Sequence, residues 1–433
     1  AGLAVAASFL GAVVFLRRAR ARTFYFDVRV PAWSGRALSA LLGVVGGVVL
    51  AVLLGAAFLG PPAATHNLAT ITIWVLWWVG FLLFSALVVC LWPQVDPFRR
   101  GAALATRAVG RPWQRGTRNL PAAAGLLAPM GLLALAWLEL VSDWSEQPRA
   151  LGVIVILYLA GAVMGGLAFG QAWFRVADPL SRIFAVFDSV APISARGGAV
   201  LRIRLPGEGL LAPSDPPRGQ VLLVTALIGV VLFDGLSETP AWAAVLNFIS
   251  ESQSLRPTLL WLREQGADLV KVIRSIGLLA TVAVFYGVYG GLVLAMRRLT
   301  GGEVGRVTLA RHFVGVLLPI AVAYHLSHYT SYFLLAGQLV FAAASDPFGL
   351  GWTLFATRQG SIDTTVIGAK QVWWIAFSAL VAGHALSVLV AHRRALQLFD
   401  DSRRAALSQV PMMAAMIGLT VLSLWILAQP ITE

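Results

Sequence analysis

Long apolar runs separated by short polar, arginine-bearing connections set the pattern of this chain. Ten of these runs come near the roughly 20 residues that a helix needs to cross a bilayer. They cover approximately residues 1–16, 37–59, 68–92, 122–141, 151–173, 220–236, 275–296, 313–342, 371–391 and 410–428. The first is short and Ala1 is not an initiator methionine, so further residues are expected before it. The pattern predicts an all-α fold, a polytopic integral membrane helical bundle of about ten transmembrane helices forming a single membrane domain over residues 1–433.

Two connections do more than join spans. Residues 174–219 carry Pro-Gly-Glu-Gly and Ser-Asp-Pro-Pro breakers, too irregular for helix throughout. Residues 237–270 mix Trp242, Leu246, Phe248, Leu259, Leu260, Trp261 and Leu262 with charges, which predicts one or two interfacial helices lying on the membrane surface. A repeat is also visible. Trp92-Pro-Gln-Val-Asp-Pro-Phe-Arg-Arg and Trp173-Phe-Arg-Val-Ala-Asp-Pro-Leu-Ser-Arg each place Asp-Pro and arginine after an aromatic exit from a span. A duplicated helix pair and an ordinary Asp-Pro turn both account for this.

Charge turns the spans into a topology. The connections 17–36, 93–121, 174–219, 297–312 and 392–409 hold 26 of the 33 Lys and Arg residues. Under the positive-inside rule these face the cytoplasm, and the N-terminus and C-terminus both lie outside. That makes 174–219 a cytoplasmic loop and 237–270 an outer interfacial segment. The inner face carries about +17 and the outer face about −4. The net charge of +13 is therefore a topogenic signal with an attraction to membrane lipid, and nucleic acid is not an indicated partner. A composition that is 58% hydrophobic and 12% charged, with mean hydropathy +0.79, excludes a soluble domain. The single cysteine, Cys90, excludes an internal disulfide and a multi-cysteine metal or iron–sulfur site.

The candidate chemistry lies in Pro319–Gln338. His325 and His328 are three apart, so they share one helix face, with Tyr324, Ser327, Tyr329, Ser331 and Tyr332 around them. A polar cluster inside a membrane span is costly and marks a functional site by default. Counting ~1.5 Å per residue puts His325 about 18 Å, His328 about 22 Å and His384 of the next span about 12 Å above the cytoplasmic edge. The ~6 Å offset between His325 and His384 is one that helix tilt absorbs, so this pair can bracket a haem b. No Cys-x-x-Cys-His motif exists for covalent haem. Alternatively the histidines hydrogen-bond to neighbouring helices.

Carboxylates form a second constellation. Glu139 and Asp143 end one span, and Asp234 and Glu238 end another, all at the outer boundary toward which His328 points. His325, His328, Asp234 and Glu139 together can hold a divalent transition metal such as zinc or iron, with His328, Asp234 and Glu139 as catalytic candidates. Glu146 and Glu238 read as ordinary residues at the water boundary, and Lys271 and Arg274 as side chains snorkelling to headgroups. His66 reads as a solvated cap, and His312 and His392 as residues of the cytoplasmic rim. Trp74, Trp77, Trp78, Trp352, Trp373 and Trp374 fit interfacial belts.

Phe-Asp-Gly-Leu-Ser-Glu-Thr-Pro-Ala-Trp (233–242), Tyr-His-Leu-Ser-His-Tyr (324–329) and Ser-Asp-Pro-Phe-Gly-Leu-Gly-Trp (345–352) carry a resemblance, together with Gly-His-Ala-Leu-Ser-Val-Leu-Val-Ala-His (383–392) and Leu-Ala-Gln-Pro-Ile-Thr-Glu (427–433). From about Trp92 onward the chain resembles a family of bacterial polytopic membrane proteins called fenitrothion hydrolase. The resemblance implies a bacterial inner-membrane organophosphate-ester hydrolase or a component of one. It carries over no catalytic residues. No Gly-x-Ser-x-Gly elbow, His-Glu-x-x-His pair or Walker loop supports hydrolysis independently. Three function classes follow. They are a metal-dependent hydrolase acting on an apolar ester, a non-catalytic or haem-binding subunit of a larger membrane complex with partner subunits, and a proton-coupled transporter. Matching Gly/Pro-broken spans in two halves, which would favour transport, are not evident.

Overall fold

A computed structural model describes residues 25–29, 31–110, 120–196, 200–212, 216–355 and 362–429. Among these residues nine helices are long and apolar enough to cross a membrane. They are α1 (Trp33–Leu59), α2 (Leu68–Leu87), α3 (Ala122–Leu140), α4 (Pro148–Phe169), α5 (Gln220–Ser237), α6 (Leu269–Leu299), α7 (Arg306–Ala336), α8 (Ala369–Leu398) and α9 (Ser402–Leu427). The chain is a multi-pass, all-helical membrane bundle. The expected run at 1–16, the outward start of the chain and residues 430–433 lie outside the described residues.

Three boundaries move for local reasons. α2 stops at Leu87 rather than near Trp92: Val88 leaves helical backbone at φ −124°, ψ −78°, and a separate short helix, Trp92–Val95, starts with Pro93 in its first turn, where the missing donor is not needed. Val89 instead bridges to Ile193, and Trp92 stacks on Phe184 with ring centroids 4.6 Å apart. α4 ends at Phe169 because Gly170 turns the chain with φ 58°, a conformation glycine adopts freely. α7 ends at Ala336, and Leu339–Ser345 forms a separate short helix.

Connections that the charge pattern assigns to one face meet one another. Two short helices, Pro240–Glu251 and Arg256–Glu264, occupy the outer segment. The long inner segment is not helix throughout. It supplies β2 (Ile193–Arg196) and β3 (Val200–Arg204), which join β1 (Tyr25–Arg29) in an antiparallel sheet of order β1-β3-β2. Arg202 grips Asp27 of β1 through two bonds of 2.7 Å. This sheet unites two segments assigned to the same face, and so do the Arg393–Glu208 pair at 2.5 Å and the Arg404–Glu303 pair. On the opposite face Lys271 pairs with Asp143, and Trp74 Nε1 donates to the Ser145 carbonyl at 2.9 Å.

α5 runs through the middle, buried at every residue from Leu223 to Gly235. α7 packs closely along α8. At their crossing a Cβ on Gly383 would lie 2.4 Å from the Ala323 Cβ and 2.7 Å from the Pro319 carbonyl oxygen. Backbone is within contact distance there, so Gly383→Ala is expected to force the helices apart and cost about 1–3 kcal/mol, as overpacked cores do. Gly418→Ala, with open space around it, is the control; equal melting shifts for the two in detergent would refute the close approach.

At the inner end the two Asp-Pro motifs take the same form and meet. Asp96 caps Pro97–Ala108, accepting from the Phe98 and Arg99 amides at 3.0 and 3.1 Å. Asp178 caps Pro179–Asp188, accepting from the Ser181 amide at 2.8 Å and from the Tyr158 hydroxyl at 2.6 Å. Ser181 Oγ lies 3.4 Å from Asp96 Oδ2 and links the caps. Burial first, then the charge of Asp178, pushes the Asp96 carboxyl up from 3.8 to about 7; burial raises Asp178 as well. The folded state therefore holds a proton on Asp96 more tightly than the unfolded chain does. Stability should fall as pH rises through about 4 to 7. Thermal melts across that range should show the decline, and Asp96→Asn, which keeps a capping side chain, should flatten it.

Candidate functional site

The polar cluster forms where α3 and α5 end beside the outer half of α7. Asp234 sits one turn from the end of α5 and is 7% exposed. Its Oδ2 accepts a 2.7 Å hydrogen bond from the Tyr329 hydroxyl and a 2.9 Å bond from His328 Nε2. Tyr329 Oη also lies 3.4 Å from Glu139 Oε1, one residue from the end of α3. The result is a chain of groups, Glu139–Tyr329–Asp234–His328, running across three helices.

Its two ends differ. The Glu139 carboxyl is buried, with the Trp78 side chain of α2 beside it. His328 Nδ1 forms no hydrogen bond among them, and the His328 side chain keeps 18% exposure. Just beyond it are Glu238, which ends α5, and Arg274 of α6, within electrostatic range of one another. The chain thus has a dry end on α3 and a partly exposed end at His328. Gly235 permits this closeness: a Cβ there would sit 3.4 Å from Tyr324 Oη and 3.1 Å from Ile426 of α9.

His325 stands apart. Its Nε2–H donates to the Trp78 carbonyl at 3.2 Å, and its ring meets Trp78 edge-on and packs on Tyr329. Trp78 lies in a stretch of α2, Thr72–Phe81, wound as π-helix, where bonding reaches five residues back. Such segments alter which carbonyls remain available and recur at functional sites. The four-residue metal set of His325, His328, Asp234 and Glu139 is therefore not assembled. His325 is committed to α2, Tyr329 stands between the carboxyls, and among the described residues no three His, Cys, Asp or Glu side chains converge as metal ligands.

The His325–His384 haem geometry also fails. His384 is fully buried, and its Nδ1–H donates to the Leu380 carbonyl of its own helix at 2.7 Å. Its position follows Gly383, where α7 and α8 are in backbone contact, and a macrocycle does not fit between helices that touch. The remaining histidines sort simply. His66 is exposed and pairs with Thr65, and His312 Nδ1 lies 2.9 Å from the Thr308 carbonyl. His392 is buried at 3% exposure, with Nδ1 3.2 Å from Gln409 Oε1 of α9.

The membrane-belt reading of the tryptophans also divides. Trp74 and Trp78 are buried in the bundle, whereas Trp352, Trp373 and Trp374 are exposed. Asp143 and Lys271 pair at the outer surface, away from the relay. Tyr329, which the sequence places in the cluster beside His328 without a role, proves to be the joint of the site.

Comparison with protein-family models, with curated proteins and with solved structures finds no match to this chain.

The relay makes a coupling prediction. Removing the Tyr329 hydroxyl leaves buried carboxyl oxygens short of a donor, so Tyr329→Phe should cost ~1–3 kcal/mol. Combined with Glu139→Gln it should depart from additivity by at least ~0.5 kcal/mol, whereas Tyr329→Phe with His392→Gln should add. Additive behaviour in both melting cycles would disconnect Glu139 from the site.

Proposed function

We propose that the chain is a bacterial inner-membrane protein with an acid–base site in the outer half of its bundle, and that this site hydrolyses an apolar ester arriving from the membrane. The observation that carries this reading is the Asp234-held His328, whose side chain keeps 18% exposure. In this reading His328 Nδ1 takes the proton of a water molecule as that water attacks the ester, the bond to the leaving alkoxide breaks, and the imidazolium returns the proton to the departing oxygen. Asp234 orients the ring and stabilises the imidazolium, as a carboxylate does for a catalytic histidine. Tyr329 fixes the Asp234 carboxylate and links it to Glu139, giving the proton a second position within the bundle. The resemblance to the fenitrothion hydrolase family supports an organophosphate or related ester as substrate, and no metal is needed for the step described.

One observation favours a second reading. The buried Glu139 carboxyl continues the relay beyond Tyr329 onto α3, which suits transfer of protons across part of the bundle and hence a proton-coupled transporter.

The test uses full-length protein in nanodiscs with lipophilic chromogenic phosphotriesters and carboxylic esters. His328→Gln and Asp234→Asn are expected to lower kcat by about 100-fold or more, as loss of general-base catalysis does, with His392→Gln near wild type. Absence of turnover by the wild-type protein, together with proton flux into dye-loaded liposomes that Glu139→Gln abolishes, would replace hydrolysis with transport.

A further inference from the structure

A cavity of about 690 Å³ lies beside the relay and is not used by it. It is bounded by α1, α2, α3 and α4, and its volume is typical of a small-molecule site. It extends from Trp144 in the outer turn to Pro97 and Pro179 behind the two inner Asp caps. Along α4 alone the lining runs from Leu151 to Tyr158, or ~10 Å of helix, so the space is elongated along the helix axes. Among the described residues no Asp, Glu, Lys or Arg lines it, and the Tyr158 hydroxyl at its inner end is already bonded to Asp178.

The opening follows from how the walls pack. α3 and α4 are joined by a short outer turn, yet α3 leans on α5 and on Pro179–Asp188, while α4 leans on α1 and on Pro97–Ala108. Their divergence leaves the space between them. An apolar cavity does not hold water stably. At this depth in a membrane the surrounding medium is hydrocarbon, so a passage between two spans is filled from the bilayer.

We propose that this cavity is a binding site for the acyl tail of a membrane phospholipid, entering between α3 and α4. It gathers Trp77, Phe81, Trp92 and Phe98 against aliphatic residues, which gives a tail more contact than the bilayer does. The tail also reaches the relay's wall. Trp77 and Leu138 line the cavity, and the next residue on each helix, Trp78 and Glu139, belongs to the polar site. The assignment stands whether the relay catalyses hydrolysis or moves protons.

The test is photocrosslinking of the full chain in vesicles of phosphatidylethanolamine and phosphatidylglycerol containing a trace of phosphatidylethanolamine with a diazirine in its tail. Adducts should concentrate on the α3 and α4 peptides carrying Ala134 and Ile154. Ala134→Trp and Val49→Trp, which fill the space from opposite walls, should each reduce these adducts several-fold. Val284→Trp, on an exposed face of α6, should leave them unchanged. Two bulky variants guard against one failing to fold, which a melting curve reports. Adducts spread evenly over exposed apolar faces, or undiminished in both folded cavity variants, would overturn the proposal. Displacement of the label by a polyprenyl compound but not by excess unlabelled phospholipid would overturn it equally.

Discussion

A carboxylate inside a membrane bundle must be satisfied by the protein, because the surrounding hydrocarbon offers it nothing. Asp234 is the residue that imposes this constraint. One oxygen takes bonds from both Tyr329 and His328, and those bonds fix the outer end of α5 against α7. The rest of the outer half follows. Tyr329 brings Glu139 and α3 into the arrangement, and Gly235 lets α7 and α9 close over α5. A helix buried as completely as α5 has few other polar means of setting its rotation, so the Asp234 bonds define which side of it faces α7.

The inner end meets the same constraint with backbone rather than histidine. Asp96 and Asp178 accept amide hydrogens at two helix starts, where unsatisfied donors and the helix dipole favour a negative group. Bringing two carboxyls together under burial raises their proton affinity, and the Tyr158 and Ser181 hydroxyls moderate that cost. Each end of the bundle therefore has an acid-centred joint. The large apolar cavity lies between them, sharing α3 with the outer joint and the Asp-Pro helices with the inner one.

The acid–base and metal readings separate on what lies between the carboxyls. A metal centre would draw Glu139, Asp234 and the histidines toward one point. The structure instead interposes the Tyr329 hydroxyl and sends His325 to a backbone carbonyl of α2. What remains suits proton transfer, with one buried end and one partly exposed end. The haem reading fails on a simpler ground, since α7 and α8 touch at Gly383.

The sequence by itself determined the class of fold and most of the spans, and drew attention to the polar cluster of α7. Those features are carried by local signals: runs long enough to cross a bilayer, arginines sorted between alternate connections, and polar residues placed where apolar ones are expected. The two helices of segment 237–270 and the shared form of the Asp-Pro motifs were legible for the same reason. Rotation and contact were not. Whether His325 joins His328 depends on how α7 turns toward α2, and the π-helical winding around Trp78 that receives it leaves no mark in composition. The β-sheet depends on strands about 170 residues apart meeting, and His392 is buried only because α9 packs over it. Tertiary structure decided these because side-chain partners in a bundle are chosen across helices, where spacing along one chain segment carries no information.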